Sequence, residues 1–325
     1  MPLKPLYTDP LQDTSVEVTL PEWNKVQATT SVWSRASKPV EVDFTLQVDG
    51  EAVATETVTI SPEEIQTAIE RWQRMQRVEV TLEHTVDTAG EHTISIGDST
   101  QTVLTLRPLP EKFETWDGAG PQGADGEYGL GANDHPIIVA GTDTDAWRGV
   151  NNFNTIYVPD GLQNSGSVTV KIVSQEATNP GGFTKGGLIV RNDMDASADE
   201  PGGKGMVRAL VSPPDSVDRS GSAPGDEVYG RFSMEWDKNG DGTASGAPFP
   251  PKYYGSTAQE STWLRLEKDG TSYTGYYSTD GNDFTQMNTV EVPQAASVQD
   301  VGMWAVSLAP ERCRTEFANF EVTNQ

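Results

Sequence analysis

The stretch from Gly166 to Asn192, GSVTVKIVSQEATNPGGFTKGGLIVRN, decides the fold. Val168, Val170 and Ile172 alternate with Thr169 and Lys171, the period of a strand with one buried and one wet face. After a Pro180-Gly181-Gly182 turn, Leu188 and Val190 repeat the pattern with Arg191 on the opposite side. Strands of this kind recur from here to the C-terminus. The sequence therefore predicts an all-β protein whose larger part is a sandwich built on this pair.

Working outward, the 325 residues suggest two domains, and 35 % hydrophobic residues suffice for two cores beneath a polar surface. Asp and Glu number 48 against 23 Lys and Arg, a formal charge of -25 spread along the chain. Such a surface repels nucleic acid and anionic lipid, whose non-specific affinity for proteins comes from Lys and Arg. No apolar run approaches membrane-spanning length, so membrane insertion is not expected either. Low lysine with abundant Asp, Glu, Gly, Thr and Ser resembles haloarchaeal proteins, which work in molar salt, where the Debye length falls to about 3 Å and self-repulsion is screened. An acidic secreted mesophile protein is the plainer alternative. Cys313 is the single cysteine, so no intrachain disulfide forms. Met1-Pro2-Leu3-Lys4 is not a signal peptide, and the start reads as cut from a longer polypeptide. An extracellular or cell-surface location then requires an export signal upstream.

Residues 1–12 carry three prolines and read as a linker. From 13 to 107 the pattern is β, with the Asp49-Gly50 turn between alternating runs as its clearest hairpin. Ser61, Pro62 and Glu64 form a helix-capping signature, and Ile65, Ile69, Trp72 and Met75 follow at helical spacing, which predicts one inserted helix of about four turns. The hairpin Leu46-Gln47-Val48-Asp49-Gly50 and the turn Thr88-Ala89-Gly90-Glu91-His92-Thr93 resemble the immunoglobulin-like CARDB modules of archaeal and bacterial surface proteins, with the helix as a departure. His84 and His92 lack a Cys or carboxylate constellation and read as structural rather than as metal ligands.

Pro108-Leu109-Pro110 marks the boundary, with 108–114 as a linker and 115–325 as the second domain. A Gly- and Asp-rich segment from Asp117 to Asp134 shows no periodicity, and about ten strands follow, a jelly-roll count. The segments Asp145-Ala146-Trp147-Arg148-Gly149-Val150-Asn151-Asn152-Phe153, Gly186-Gly187-Leu188-Ile189-Val190-Arg191, Trp263-Leu264-Arg265-Leu266, Gly275-Tyr276-Tyr277-Ser278-Thr279-Asp280-Gly281 and Phe317-Ala318-Asn319-Phe320-Glu321-Val322 resemble, in order, the concanavalin A-like modules of the DUF1349 and LamG-like kind. That resemblance implies a jelly roll and, loosely, carbohydrate binding or adhesion beside a carbohydrate-active polypeptide. It brings no catalytic motif.

Three constellations carry chemistry. Asp237, Asn239, Asp241 and Thr243 match the first half of a calcium loop, but Pro248 stands where its bidentate Glu belongs. A structural Ca2+ would need a further ligand, such as Asp193 or Asp195; a solvated hairpin is the alternative. Strand parity places Arg191, Arg231 and Arg265 on outer faces, with Arg208 beside them, and Trp263, Tyr276 and Tyr277 as a stacking platform. Such a positive groove suits a glycan, above all one bearing carboxylate or sulfate; alternatively the arginines neutralise Glu235 and Glu267 in a cross-strand ladder. Glu235 and Asp237 are the one carboxylate pair that invites glycoside hydrolysis, and His135 has no nucleophile beside it. The leading expectation is a non-catalytic carbohydrate-binding or adhesion region with a polysaccharide or glycan as partner. The rivals are a structural surface stalk that binds other surface proteins and a polysaccharide-degrading enzyme using Glu235 and Asp237.

Overall fold

A computed structural model describes residues 15–34, 39–60, 76–118, 125–146, 150–176, 184–213, 229–246, 252–255 and 262–325. The chain divides into two compact units, Met1–Arg107 and Pro108–Gln325. Strands dominate both, and the helix expected over 61–75, like the turn at 180–182, lies outside the described residues.

The first unit holds β1 (Ser15–Glu22), β2 (Lys25–Ser34), β3 (Val40–Val48), β4 (Glu51–Ile60), β5 (Gln76–Thr85), β6 (Gly90–Ile96) and β7 (Ser99–Thr105). They pair as β1-β2-β5 and β4-β3-β6-β7. This is an immunoglobulin-like sandwich of three plus four strands, in which the fourth strand has joined the sheet of the third. The inward residues of each strand, among them Val26, Ala28, Phe44, Leu46, Leu82, Ile94 and Ile96, meet in one cluster. Phe44 is fully buried there, and truncating such a ring to Ala costs about 3–5 kcal/mol.

The second unit begins earlier than its linker-like sequence suggests. Leu109 and Phe113 pack on its core, with the Phe113 and Phe320 ring centroids 5.8 Å apart, so 108–114 belongs to the unit rather than to a linker. Its strands are β8 (Glu114–Asp117), β9 (Glu127–Leu130), β10 (Pro136–Ala140), β11 (Asn154–Leu162), β12 (Ser165–Gln175), β13 (Lys185–Arg191), β14 (Val207–Ser212), β15 (Tyr229–Trp236), β16 (Lys252–Gly255), β17 (Thr262–Asp269), β18 (Ser272–Ser278), β19 (Thr285–Glu291), β20 (Gln299–Val306) and β21 (Cys313–Asn324). β9 falls inside the segment that showed no periodicity: four residues are too few for alternation to register.

Two seven-stranded antiparallel sheets result, β19-β18-β17-β12-β21-β10-β9 and β16-β15-β14-β13-β20-β11-β8. β12 and β13, neighbours in sequence, stand in different sheets. Their apolar faces, Val168, Val170 and Ile172 on one and Leu188 and Val190 on the other, meet across the core instead of lying side by side. β12 alternates buried and half-buried residues as expected, whereas β13 is buried along its whole length. A strand at the centre of a sheet covered on both faces has no wet side. Cys313 lies in the same core, where burial pushes its thiol up to about 12 and leaves it unreactive at neutral pH.

Candidate functional site

The arginines of the β13 sheet face away from the central core, as parity requires, but not into solvent. Ala146, Phe153, Met194, Met206 and Ala244 from the connecting loops cover Ile189, Leu210, Trp304 and Val306 on that outer face and form a second apolar cluster. Beneath it, Glu235 bridges Lys185 at 3.1 Å and Arg208 at 2.8 Å, and all three are buried. Arg208 also donates to the Ala146 carbonyl and lies over the Trp304 ring, 4.4 Å from its centroid. The positive groove expected from Arg191 and Arg208 is therefore not formed. These arginines are internal counterions, and desolvation makes any unpaired member costly. Arg231 stands opposite Ser212 in β15, with its side chain outside the described residues.

The same burial removes the hydrolytic pair. Glu235 has both oxygens in ion pairs, and Asp237, fully buried, accepts the backbone N–H groups of Asp241 and Gly242, each at 2.9 Å. Neither carboxylate faces a cleft.

The Asp237 loop folds on itself in the manner of an Asx turn. Asp241 accepts from the Thr243 N–H at 3.0 Å and its hydroxyl at 2.9 Å, while Asn239 and Asp241 are exposed. Backbone donors thus satisfy the Asp237 and Asp241 carboxylates within the loop itself. Among the described residues no three His, Cys, Asp or Glu side chains gather as a metal site, and of the expected calcium ligands Asp237 is buried with both oxygens on backbone N–H groups while Asn239 and Asp241 are exposed. Nearby, Arg191 donates from Nε to Gly203 O at 3.1 Å and from Nη1 to Met194 O at 2.8 Å. Burial pushes its guanidinium down to about 10, against the pull of Asp193, Asp300, Asp195 and Asp237, so it stays charged at neutral pH.

The outer face of the β17 sheet is different. Trp263, Arg265, Glu267 and Tyr276 stay partly exposed on it, Ser278 is buried against the turn at Asp280 and Gly281, and of the sequence-predicted residues it gathers Trp263, Arg265 and Tyr276. Arg265 pairs across to Tyr276 on β18 and Thr169 on β12, and Trp263 pairs to Ser278 and Lys171. The Arg265 guanidinium lies 4.9 Å from the Tyr276 ring centroid and 4.2 Å from that of Phe284, and pairs with Glu267 at 3.3 Å. The side chains of Arg265 and Glu267 remain 31 % and 42 % exposed. The Tyr276 hydroxyl donates to Glu267 at 2.9 Å; burial first and that carboxylate second push its pKa up, which keeps the phenol protonated. Gly281, with φ +79°, brings its turn against the indole, since a Cβ there would sit 2.6 Å from Trp263 Cε2.

Tyr277 does not belong to this shelf. It points inward and stacks on Phe232, with centroids 4.2 Å apart and planes at 17°. From Glu267 the face dips into a depression of about 410 Å³ whose lining includes Ser165, Ser167, Lys268, Asp269, Ser272 and Thr274. Sequence reasoning missed Phe284 and these hydroxyls. The alternation Ser165-Gly166-Ser167 and Ser272-Tyr273-Thr274 was visible, but not that the two strands flank β17.

No protein-family model matches the chain, and no curated protein matches it. Among solved structures it is similar to a functionally unknown protein from Saccharomyces cerevisiae, with a TM-score of 0.46 and 13% identity over 65% of this chain and 96% of that one. It is similar also to the CBM2 module of the evolved Dit of Lactobacillus casei BL23 phage J-1, with a TM-score of 0.40 and 13% identity over 64% and 90%. A lectin from Bauhinia forficata, solved in complex with GalNAc, gives a TM-score of 0.39 and 10% identity over 66% and 93%. At these scores the assignment of the sandwich rests on the strand order described above.

Proposed function

We propose that the Pro108–Gln325 unit binds carbohydrate on the outer face of the β17 sheet, through Trp263, Arg265, Tyr276, Phe284 and Glu267. The observation that carries this reading is the surface guanidinium of Arg265 laid over two aromatic rings with a carboxylate beside it. Aromatic faces offer a platform for the C–H face of a sugar ring, and Arg with Glu supplies the donor and acceptor that sugar hydroxyls need. The role is non-catalytic binding or adhesion. The finer expectations of a CARDB-like spacer, a LamG-like lineage and a secreted, halophilic setting belong to the same proposal. A preference for anionic sugars drops out of it, because Arg191 and Arg208 are buried elsewhere.

The test is a glycan array probed with the full chain in high salt, beside Trp263→Ala and Tyr276→Ala. Retention of one glycan class should fall about tenfold or more in each variant, the equivalent of about 1.4 kcal/mol, with unchanged melting curves. Cooperatively folded wild-type protein that retains no glycan, or that assembles with itself instead, would sink the reading in favour of a structural stalk.

A further inference from the structure

The exposed face does not end at the aromatic shelf. Cross-strand pairing stacks its side chains in rows across β18, β17 and β12: Ser278, Trp263 and Lys171; Tyr276, Arg265 and Thr169; Thr274, Glu267 and Ser167; Ser272, Asp269 and Ser165. From Trp263 to Asp269 the rows cover about 20 Å at roughly 3.3 Å per residue, the length of a short oligosaccharide rather than of one sugar ring. Character changes along that length. The first two rows are aromatic and cationic, and the last two carry only hydroxyls and carboxylates around the depression.

Hydroxyl groups both donate and accept, and carboxylates accept, so the second half complements the hydroxyls of a sugar without offering it a stacking surface. The charge balance says which sugars are excluded. Glu267 and Asp269 line the depression, Arg265 is already paired to Glu267, and the whole chain carries a charge of -25. A uronate or sulfated ring over Glu267 and Asp269 would meet like charge there, since Lys268, which also lines the depression, is buried with its ammonium on the Ala296 carbonyl, and Lys171 stands two rows away beside Trp263.

We infer that this face binds an extended, uncharged glycan chain lying along β17, with rings stacked at Trp263 and Tyr276 and further rings hydrogen-bonded over the Ser167, Thr274 and Asp269 depression. The inference rests on the carbohydrate reading above and adds the ligand's length, direction and charge.

The experiment is a calorimetric titration of the full chain, at the lowest NaCl concentration that still gives a cooperative melt. Its probes are cello-, manno- and xylo-oligosaccharides of one to six units, with oligogalacturonate as the anionic comparator. Each added ring that hydrogen-bonds adds to the affinity, so binding of the preferred ladder should climb more than tenfold from one unit to four and then level. Oligogalacturonate should bind more weakly than the neutral chain of equal length. Ser167→Tyr and, independently, Thr274→Tyr fill the depression and should abolish the gain with length while leaving the shortest sugars bound as before; Tyr276→Ala should weaken every length. Binding that is flat with length and indifferent to the two filling variants overturns the inference and leaves the carbohydrate reading standing. Tighter binding of oligogalacturonate overturns the charge assignment. Folded protein that binds no probe overturns both readings together.

Discussion

The Arg191 guanidinium sits among Asp193, Asp195, Asp237 and Asp300, where a chain this acidic invites a divalent cation. It differs from a metal in being covalently supplied, and its planar fork reaches two loop carbonyls that a spherical ion would bind without direction. It holds the 192–203 loop against β13 and meets the Trp116 ring at 5.4 Å. Arg191→Gln leaves the carboxylates without their buried cation and should lower stability by about 3–5 kcal/mol, read from chemical denaturation of the second unit. Arg191→Lys should recover only part of that loss, because one ammonium cannot serve both carbonyls with the same geometry. A calcium chelator should leave the melting temperature of the wild-type protein unchanged. A large drop would mean that the Asp237 loop takes up a cation after all.

At the level of elements, the β3–β4 hairpin shows how one turn residue secures a sheet. Asp49 and Gly50 turn the chain with φ +53° and +83°, the positive values a two-residue hairpin requires. Asp49 also accepts the Thr93 N–H at 2.8 Å and pairs with His92 Nδ1 at 2.8 Å, while His92 Nε2 reaches Thr88 O at 3.1 Å, so the turn is bolted to β6. His92 is thereby accounted for by its partners. The His92 contact first, and the Thr93 N–H second, hold the Asp49 carboxyl below its ordinary range. A depressed carboxylate contributes stability that is present above the unfolded pKa, about 3.9, and is lost as pH falls through the folded value. Asp49→Ala should cost the first unit about 1–2 kcal/mol at pH 7, discounted because the side chain is half exposed, and the gap to wild type should close as pH drops below about 4. A gap that persists at low pH would assign the effect to backbone strain in the turn rather than to the carboxylate.

At the scale of the whole molecule, two features govern behaviour: separate cores and a charge of -25. Units with their own cores unfold with their own transitions, so calorimetry of the full chain should resolve two. Both should move to higher temperature as NaCl rises, because the Debye length shrinks from about 10 Å at 0.1 M to about 3 Å at 1 M and relieves the repulsion among surface carboxylates. A single transition, or one insensitive to salt, would contradict the division into independent cores or the dominance of surface repulsion.

The sequence by itself determined what depends on local period and composition. Alternation in Val168-Thr169-Val170-Lys171-Ile172 requires a strand, Asp49-Gly50 requires a hairpin, and the excess of Asp and Glu requires a surface hostile to polyanions. Parity also places Trp263 and Arg265 on the outer side of their strand, while Tyr276 and Tyr277 stand in the sequence as joint stacking candidates. Only the tertiary structure decided which strands are neighbours and what covers their outer faces. Arg191 and Arg265 have the same parity argument behind them, yet loops carrying Met194, Met206 and Phe153 roof the one and leave the other in water. Tyr277, one residue from Tyr276, turned into the core. Burial is a sum over contacts from distant parts of the chain, and no local pattern carries that sum.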